Sequence, residues 1–281
     1  MNALELHQVC KSYPGFSLDH VDLTLPSGTI LGLIGENGAG KTTLIKTILD
    51  MVHRDSGTVT LLGRDNQDHL ELTKQDIGVV LDEVGIPQAF TPLMLDKVLS
   101  RTFTRWDHDV YMAYLKRFSI PWDQNFKTLS RGMKMKLGLA AALSHQPKLL
   151  LLDEATAGLD PVIRDEILDL FLEFTREESH SILISSHIVS DLEKICDYIA
   201  FLHQGRIILC EEKDRLAEQY GMIQGTREEL AALAPDVIQG CKTSPYGAEA
   251  LVLRKELPAD WPVQPVDLET LFIYRVKGES V

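Results

Sequence analysis

Residues 3–9 and 16–25 alternate apolar and polar side chains, the period of a half-buried strand, and Pro26-Ser27-Gly28 predicts the turn that follows. A different pattern begins at Ile30-Leu31-Gly32-Leu33-Ile34, an unbroken apolar run of the kind that fits a strand covered on both faces. Gly57–Gly63 and Ile77-Gly78-Val79-Val80-Leu81 predict further strands. From about Pro87 to Ser144 the spacing changes to threes and fours: Leu95, Val98 and Leu99, then Tyr111, Tyr114, Leu115 and Phe118. This stretch predicts a mostly helical subdomain inserted between two strands. The strand pattern resumes at Leu149-Leu150-Leu151-Leu152-Asp153-Glu154. A helix opening at Asp160-Pro161 follows, carrying Ile163, Ile167, Leu170, Phe171 and Phe174. Ser181–Ser185 is the next strand, and residues 198–202 and 206–210 flank His203-Gln204-Gly205 as a hairpin. Strand and helix alternate through residues 30–210, which predicts a mainly parallel sheet with ligands at the strand C-termini.

Chemistry enters at Gly35-Glu36-Asn37-Gly38-Ala39-Gly40-Lys41-Thr42-Thr43, which fits G-x-x-x-x-G-K-[ST] between a predicted strand and a predicted helix. Glycines let such a loop turn its N–H groups inward on phosphate oxygens, and the helix behind it presents its positive end there. Lys41 can reach the β- and γ-phosphates, and the Thr42 hydroxyl is placed to ligand Mg²⁺. The pattern predicts a nucleoside triphosphate site. Asp153 ends an apolar strand, where such an enzyme carries its metal-side carboxylate, and Glu154 beside it can orient or deprotonate water. His187 follows the strand at 181–185 and is a candidate phosphate contact. Ser130 caps a helix that opens Leu129-Ser130-Arg131-Gly132-Met133, a second potential anion site. One chain would struggle to bring both anion sites onto one phosphate.

Composition narrows the partners. The chain of 281 residues has a formal net charge of −13, which disfavours nucleic acid and anionic lipid as direct partners. Its four cysteines, Cys10, Cys196, Cys210 and Cys241, form no C-x-x-C pair, so neither a zinc site nor a disulfide framework is expected. No run reaches the roughly 18 apolar residues of a membrane span and no secretion signal is expected. A membrane role would therefore need another chain to supply the span.

The ordered set of Tyr13, GENGAGKTT at 35–43, LSRGM at 129–133, LLLLDE at 149–154, AGLD at 157–160 and SSH at 185–187 resembles the ATP-binding subunit of an ABC transporter, over about residues 3–215. The resemblance implies a phosphate-loop ATPase core with an antiparallel β subdomain, an inserted helical subdomain at about 87–145 and a small C-terminal module, with the ATPase domain at 1–220 and the module at 221–281. It implies hydrolysis of ATP with Mg²⁺ by a head-to-tail dimer of this chain, or of this chain with a closely similar ABC subunit. Ser130 and Gly132 would then contact the γ-phosphate held by the other subunit's Lys41, which resolves the geometric problem above. Carried over by position, Tyr13 would stack on adenine. Gly35, Asn37, Gly38, Ala39, Gly40, Lys41, Thr42 and Thr43 would hold the phosphates, and Thr42 and Asp153 would hold Mg²⁺. Glu154 would be the general base, His187 the γ-phosphate switch, and Ala157–Asp160 would cross the dimer interface. The implied partner is a transmembrane permease, with this chain cytoplasmic and peripheral on the inner face of the cell membrane. A soluble ABC ATPase acting on nucleic acid or the ribosome is the alternative.

Three positions depart from the usual pattern. The signature usually reads LSGGQ, and here Arg131 and Met133 stand at its third and fifth places; the form S-R-G-M-K-M-K is similar to that of bacterial subunits paired with export-type permeases. The usual glutamine after the strand near Leu81 is replaced by Asp82, expected to act on the metal through a bridging water and to add its charge to that of Asp153 and Glu154; the alternative is that it faces away as a helix N-cap before Gly85-Ile86-Pro87. The segment after it, with Phe90, Leu93, Met94 and Leu95, is either a docking surface for the permease or simply the core of the helical subdomain.

Overall fold

The computed structural model describes residues 1–68, 73–234, 236–244, 247–258 and 261–278. Strands β1 (Asn2–Tyr13) and β2 (Phe16–Pro26) form an antiparallel hairpin. With β4 (Ser56–Leu61) and β5 (Arg64–Asp65) they make a four-stranded sheet in the order β2-β1-β4-β5. The second sheet holds β3 (Ile30–Ile34), β6 (Ile77–Val80), β7 (Leu149–Asp153), β8 (Ser181–Ser186), β9 (Tyr198–His203) and β10 (Arg206–Glu212), in the order β10-β9-β3-β8-β7-β6. All its pairings are parallel except β9 with β10.

Every residue of β3, β7 and β8 is buried, which is why these strands read as apolar runs without alternation. Alternation is still present, hidden in which core each side chain joins. Leu150, Leu152, Ile182 and Ile184 pack with the helical insert, whereas Leu149, Leu151 and Leu183 pack with the antiparallel sheet and with α1 (Lys41–Ile48).

Between β6 and β7 lies the helical insert: α2 (Pro92–Thr102), α3 (His108–Arg117) and α4 (Arg131–Leu143), capped by Thr91, Asp107 and Ser130 through side-chain oxygens that each accept a backbone N–H. Such caps contribute roughly 1 kcal/mol each. Tyr111, Leu115, Phe126, Met135 and Leu139 fill the middle of the insert and join the core against β7 and β8. Helix α5 (Pro161–Phe174) follows β7, and its cap Asp160 accepts two N–H groups, from Val162 and Ile163 at 3.1 Å. Helix α6 (Val189–Ile195) follows β8.

After α7 (Lys213–Gln219) comes a three-stranded antiparallel sheet, β11 (Tyr220–Gly225), β12 (Ile238–Ser244) and β13 (Gly247–Leu253), in the order β11-β13-β12, with α8 (Arg227–Ala231) against it. It has a small core of its own, around Ile223, Leu230 and Val252. The last helix, α9 (Leu268–Lys277), turns back: Leu268, Leu271 and Phe272 join the core of the parallel sheet, and the Phe272 ring meets Phe201 of β9 edge-on at 5.1 Å. Among the described residues no helix is long and apolar enough to cross a membrane.

Candidate active site

The loop between β3 and α1 is shaped by three glycines, through close approach, positive φ or both. A Cβ at Gly35 would stand 2.6 Å from the Leu202 carbonyl oxygen, so only glycine lets the loop lie this close to β9. Gly38 and Gly40 adopt φ of +83° and +110°, and a Cβ at Gly40 would also strike the Phe16 ring at 2.5 Å. Gly40 is the N-cap of α1 and offers no side-chain oxygen to the first turn. That turn's N–H groups therefore face the cleft without a capping side chain, as an anion site requires.

Lys41 is 6% exposed, and a buried ammonium costs several kcal/mol unless it is bonded. Its Nζ donates to the carbonyl oxygens of Gly35 at 2.8 Å and Glu36 at 3.4 Å, and lies 3.3 Å from Glu154 Oε1. The loop thus folds around the cation.

The ends of β7 and β8 supply the acidic side of the cleft. Asp153, 1% exposed, accepts hydrogen bonds from the Thr42 hydroxyl at 2.7 Å and the Ser185 hydroxyl at 2.5 Å. These donors are all oxygens, the set a hard cation such as Mg²⁺ takes, so the residues present fit that ion. Glu154 sits in the left-handed region at φ +54°, a conformation costing a non-glycine residue of order 1–2 kcal/mol. It is held there by its own N–H, which donates to the Ser185 carbonyl and hydroxyl. The turn aims its carboxylate between two cations or potential cations: Lys41 on one oxygen and His187 Nδ1, 2.7 Å away, on the other.

A cleft of about 650 Å³ is lined by Asn37, Gly38, Gly40, Lys41, Thr42, Thr43, Glu154 and His187, together with Phe16, Glu36, Asp82 and Arg131. Tyr13 is not among its lining residues. It stands 42% exposed at the end of β1 with Lys11 over its ring, and Gly15 and Phe16, across the hairpin turn, line the cleft instead. Phe16 went unsingled in the sequence, although the glycine before it marks the same turn. Ser185 is visible in the sequence only as a strand end and as part of SSH at 185–187, since a serine inside an apolar strand gives no sign of the carboxylate it supports.

Ser130 and Gly132 are also outside this cleft. Ser130 accepts the Met133 N–H as an N-cap, and Gly132 is packed so that a Cβ would touch Ile163 at 3.0 Å. Asp82 does line the cleft, but its Oδ1 accepts from Arg131 Nη2 at 3.2 Å, so the extra negative charge expected beside Asp153 and Glu154 is offset by a guanidinium.

A glycine loop opening a helix at the C-terminal edge of a parallel sheet, with strand-end carboxylates facing its lysine, defines a phosphate-loop nucleoside triphosphatase. The profile of the ABC transporter family matches residues 18–157. Three curated relatives are similar over most of the chain. The ABC transporter ATP-binding protein YtrB of Bacillus subtilis is 31% identical, covering 98% of this chain and 99% of its own length. The lantibiotic transport ATP-binding protein SrtF of Streptococcus pyogenes is 34% identical over 75% of this chain and 91% of its own. The methionine import ATP-binding protein MetN 1 of Burkholderia orbicola is 32% identical over 84% and 71%. Among solved structures, an ATP-binding subunit of an ABC transporter superposes with a TM-score of 0.71 at 24% identity, covering 77% of this chain and 92% of that one. The chain belongs to the ABC transporter family: it is an ATP-binding and ATP-hydrolysing subunit that works with membrane permease partners.

Proposed function

We propose that two copies of this chain close head to tail around two ATP molecules and thereby drive a separate permease in the direction of export, from the cytoplasmic face of the cell membrane. The observation that carries the catalytic part is the Glu154 carboxylate, shared between Lys41 and His187 at a strained strand end. In this reading the loop N–H groups and Lys41 bind the β- and γ-phosphates. Phosphate oxygens take the place of the loop carbonyls and of Glu154 around the ammonium, which leaves the carboxylate free to accept a proton from water. His187 holds that carboxylate through its ring N–H. Thr42 and Asp153 hold Mg²⁺, which when bound neutralises phosphate charge and polarises the bond to be broken. Ser130 and Gly132, outside their own cleft, bring the N-terminus of α4 to the nucleotide of the other copy.

Residues 1–220 act in this scheme as the ATPase domain, with the helical insert as its permease-facing part and residues 221–281 as a small module whose last helix, α9, packs back on the parallel sheet. Met94, Val98 and Trp122 on the insert are exposed, while Leu95 is buried in its core. The Leu93 N–H donates to the Trp122 carbonyl, which brings the Trp122 segment beside the start of α2. This apolar surface suits a cytoplasmic helix of the permease.

The export direction rests on the S-R-G-M form of the signature, since the relatives' names include both lantibiotic transport and methionine import. The acidic net charge weighs against the alternative, a soluble ATPase on nucleic acid or ribosomes. Affinity purification of the tagged chain from its native membranes tests the proposal. A co-eluting polytopic membrane protein that empties preloaded vesicles with ATP is expected; co-elution of ribosomal particles alone would overturn it.

A further inference from the structure

The C-terminal helix reaches the phosphate loop. Lys277, in the last turn of α9, places Nζ 3.0 Å from Oε1 of Glu36, the second residue of the loop. His203 Nδ1 lies 3.8 Å from the other carboxylate oxygen. Glu36 lines the cleft beside Asn37, Gly38 and Lys41, so this carboxylate stands on the rim of a site built for a polyanion.

The reach is built, not incidental. Leu268, Leu271 and Phe272 seat α9 on the parallel sheet, with Phe272 against Phe201, two residues before His203 on β9. The start of the helix is tied to α6 by the Leu268 N–H, which donates to Glu193 Oε1 at 3.4 Å. The loop is fixed from the same side: Gly35 lies against Leu202, and the Gly205 N–H donates to the Ala39 carbonyl at 3.0 Å. Helix and loop are therefore both referenced to β9, and their separation is set by rigid elements.

We propose that Lys277 is a positioning residue for ATP: it neutralises Glu36 and holds that carboxylate back from the triphosphate, which makes the C-terminal segment part of the nucleotide site. A carboxylate in a phosphate-binding loop repels the ligand the loop is made for. Pairing it with a cation from outside the loop removes that repulsion while leaving the backbone N–H groups free to bind. Lys277 is 64% and Glu36 40% exposed at the side chain, so the effect is screened and of modest size. Anything that lifts α9 off the sheet lowers affinity for ATP by the same route.

The inference rests on ATP binding at this loop, and the experiment keeps the two apart. Nucleotide affinity and steady-state ATPase kinetics are measured on the full chain for wild type, Lys277→Ala, Lys277→Arg, Glu36→Gln and Glu36→Gln/Lys277→Ala. A wild type that binds no ATP would overturn the nucleotide site itself. With wild type active, Lys277→Ala is expected to raise Kd and KM about two- to five-fold at low salt, the range of an exposed ion pair. Its kcat and unfolding midpoint should stay unchanged. Lys277→Arg should behave as wild type, and the Lys277→Ala penalty should vanish both in the Glu36→Gln background and at high salt. A penalty that persists without the Glu36 charge, a loss confined to kcat or stability, or no change in KM would each overturn the proposal.

Discussion

Arg131 Nη2 lies 3.2 Å from Asp82 Oδ1, joining the segment by which the chain leaves β6 for the helical insert to the first residue of the helix that leads back to β7. These are two of the positions where the sequence departs from the pattern it otherwise resembles, and they meet. The guanidinium also lies under the turn at Gly158, where a Cβ would stand 2.7 Å from Arg131 Nη1. Both side chains are more than half exposed, so the pair contributes at most about 1 kcal/mol to stability. Its consequence lies in the charge it sets on the cleft. Asp82→Asn should leave Arg131 unpaired and raise the Mg²⁺ concentration for half-maximal ATPase activity about two-fold. Arg131→Ala should lower it by a similar factor, and the double variant should fall near wild type, as expected for a screened pair. Superimposable Mg²⁺ titrations would show that the metal does not sense this pair.

Glu154→Gln keeps the shape of the side chain but removes its capacity to take a proton. Turnover should fall by at least ~10²-fold, the scale of a lost general base. ATP affinity should stay near wild type, because the loop N–H groups and Lys41 remain to hold the phosphates, which in any case displace Glu154 from the ammonium. A dimer that cannot hydrolyse its ATP cannot reopen, so the variant should elute as a dimer on size exclusion only when ATP is present. A fully active variant that stays monomeric with ATP would remove Glu154 from this role.

Shared sites make a prediction no single variant can. Ser130→Arg and Lys41→Ala should each be inactive, since each damages both sites of its own homodimer. Mixed together they form some dimers with one site intact, and a fraction of the activity should return. Tagged pull-down confirms that mixed dimers exist; if they do and activity stays absent, Ser130 does not serve the neighbouring nucleotide.

The parts of this site legible in the sequence are those whose chemistry is local. Gly35–Thr43 is read from the backbone conformations and donors that phosphate needs, and Asp153 from its place at the end of an apolar strand. What escaped depends on contacts between segments far apart in the chain. Phe16 reaches the cleft because β2 lies over the loop, and Tyr13, exposed at the end of β1, stands outside its lining. The Asp82–Arg131 and Glu36–Lys277 pairs join residues that no spacing rule connects. The three-stranded sheet at β11–β13 was hidden because two of its strands are only partly covered and lack a buried run.

One buried histidine links stability to pH. His145 is 2% exposed, stacked on Phe103 at 3.9 Å, and its Nε2 donates to the Ile77 carbonyl at 3.0 Å, bridging the end of α4 to β6. Burial disfavours the charged ring and Arg105 adds to this, while the hydrogen bonds to Ile77 and Ala141 and the nearby Asp76 oppose; the result is a pKa below the ordinary histidine value. A depressed value in the folded state means that the unfolded chain takes up the proton first as pH falls. The stability contributed is therefore present above the ordinary value of about 6.5 and is lost as pH drops from there toward the folded-state value. His108 works in the opposite sense: its hydrogen bond with Asp96 raises its pKa, so its contribution is present in acid and lost as pH rises through the raised value. His145→Gln can still donate to Ile77 but cannot titrate. It should unfold at a lower temperature than wild type at about pH 7.5, and the gap should narrow as pH is lowered to about 5.5. His108→Gln should show its deficit mainly in acid. Calorimetric midpoints at matched ionic strength check both, and a gap for His145→Gln that is constant across the range would show that this ring does not titrate with folding.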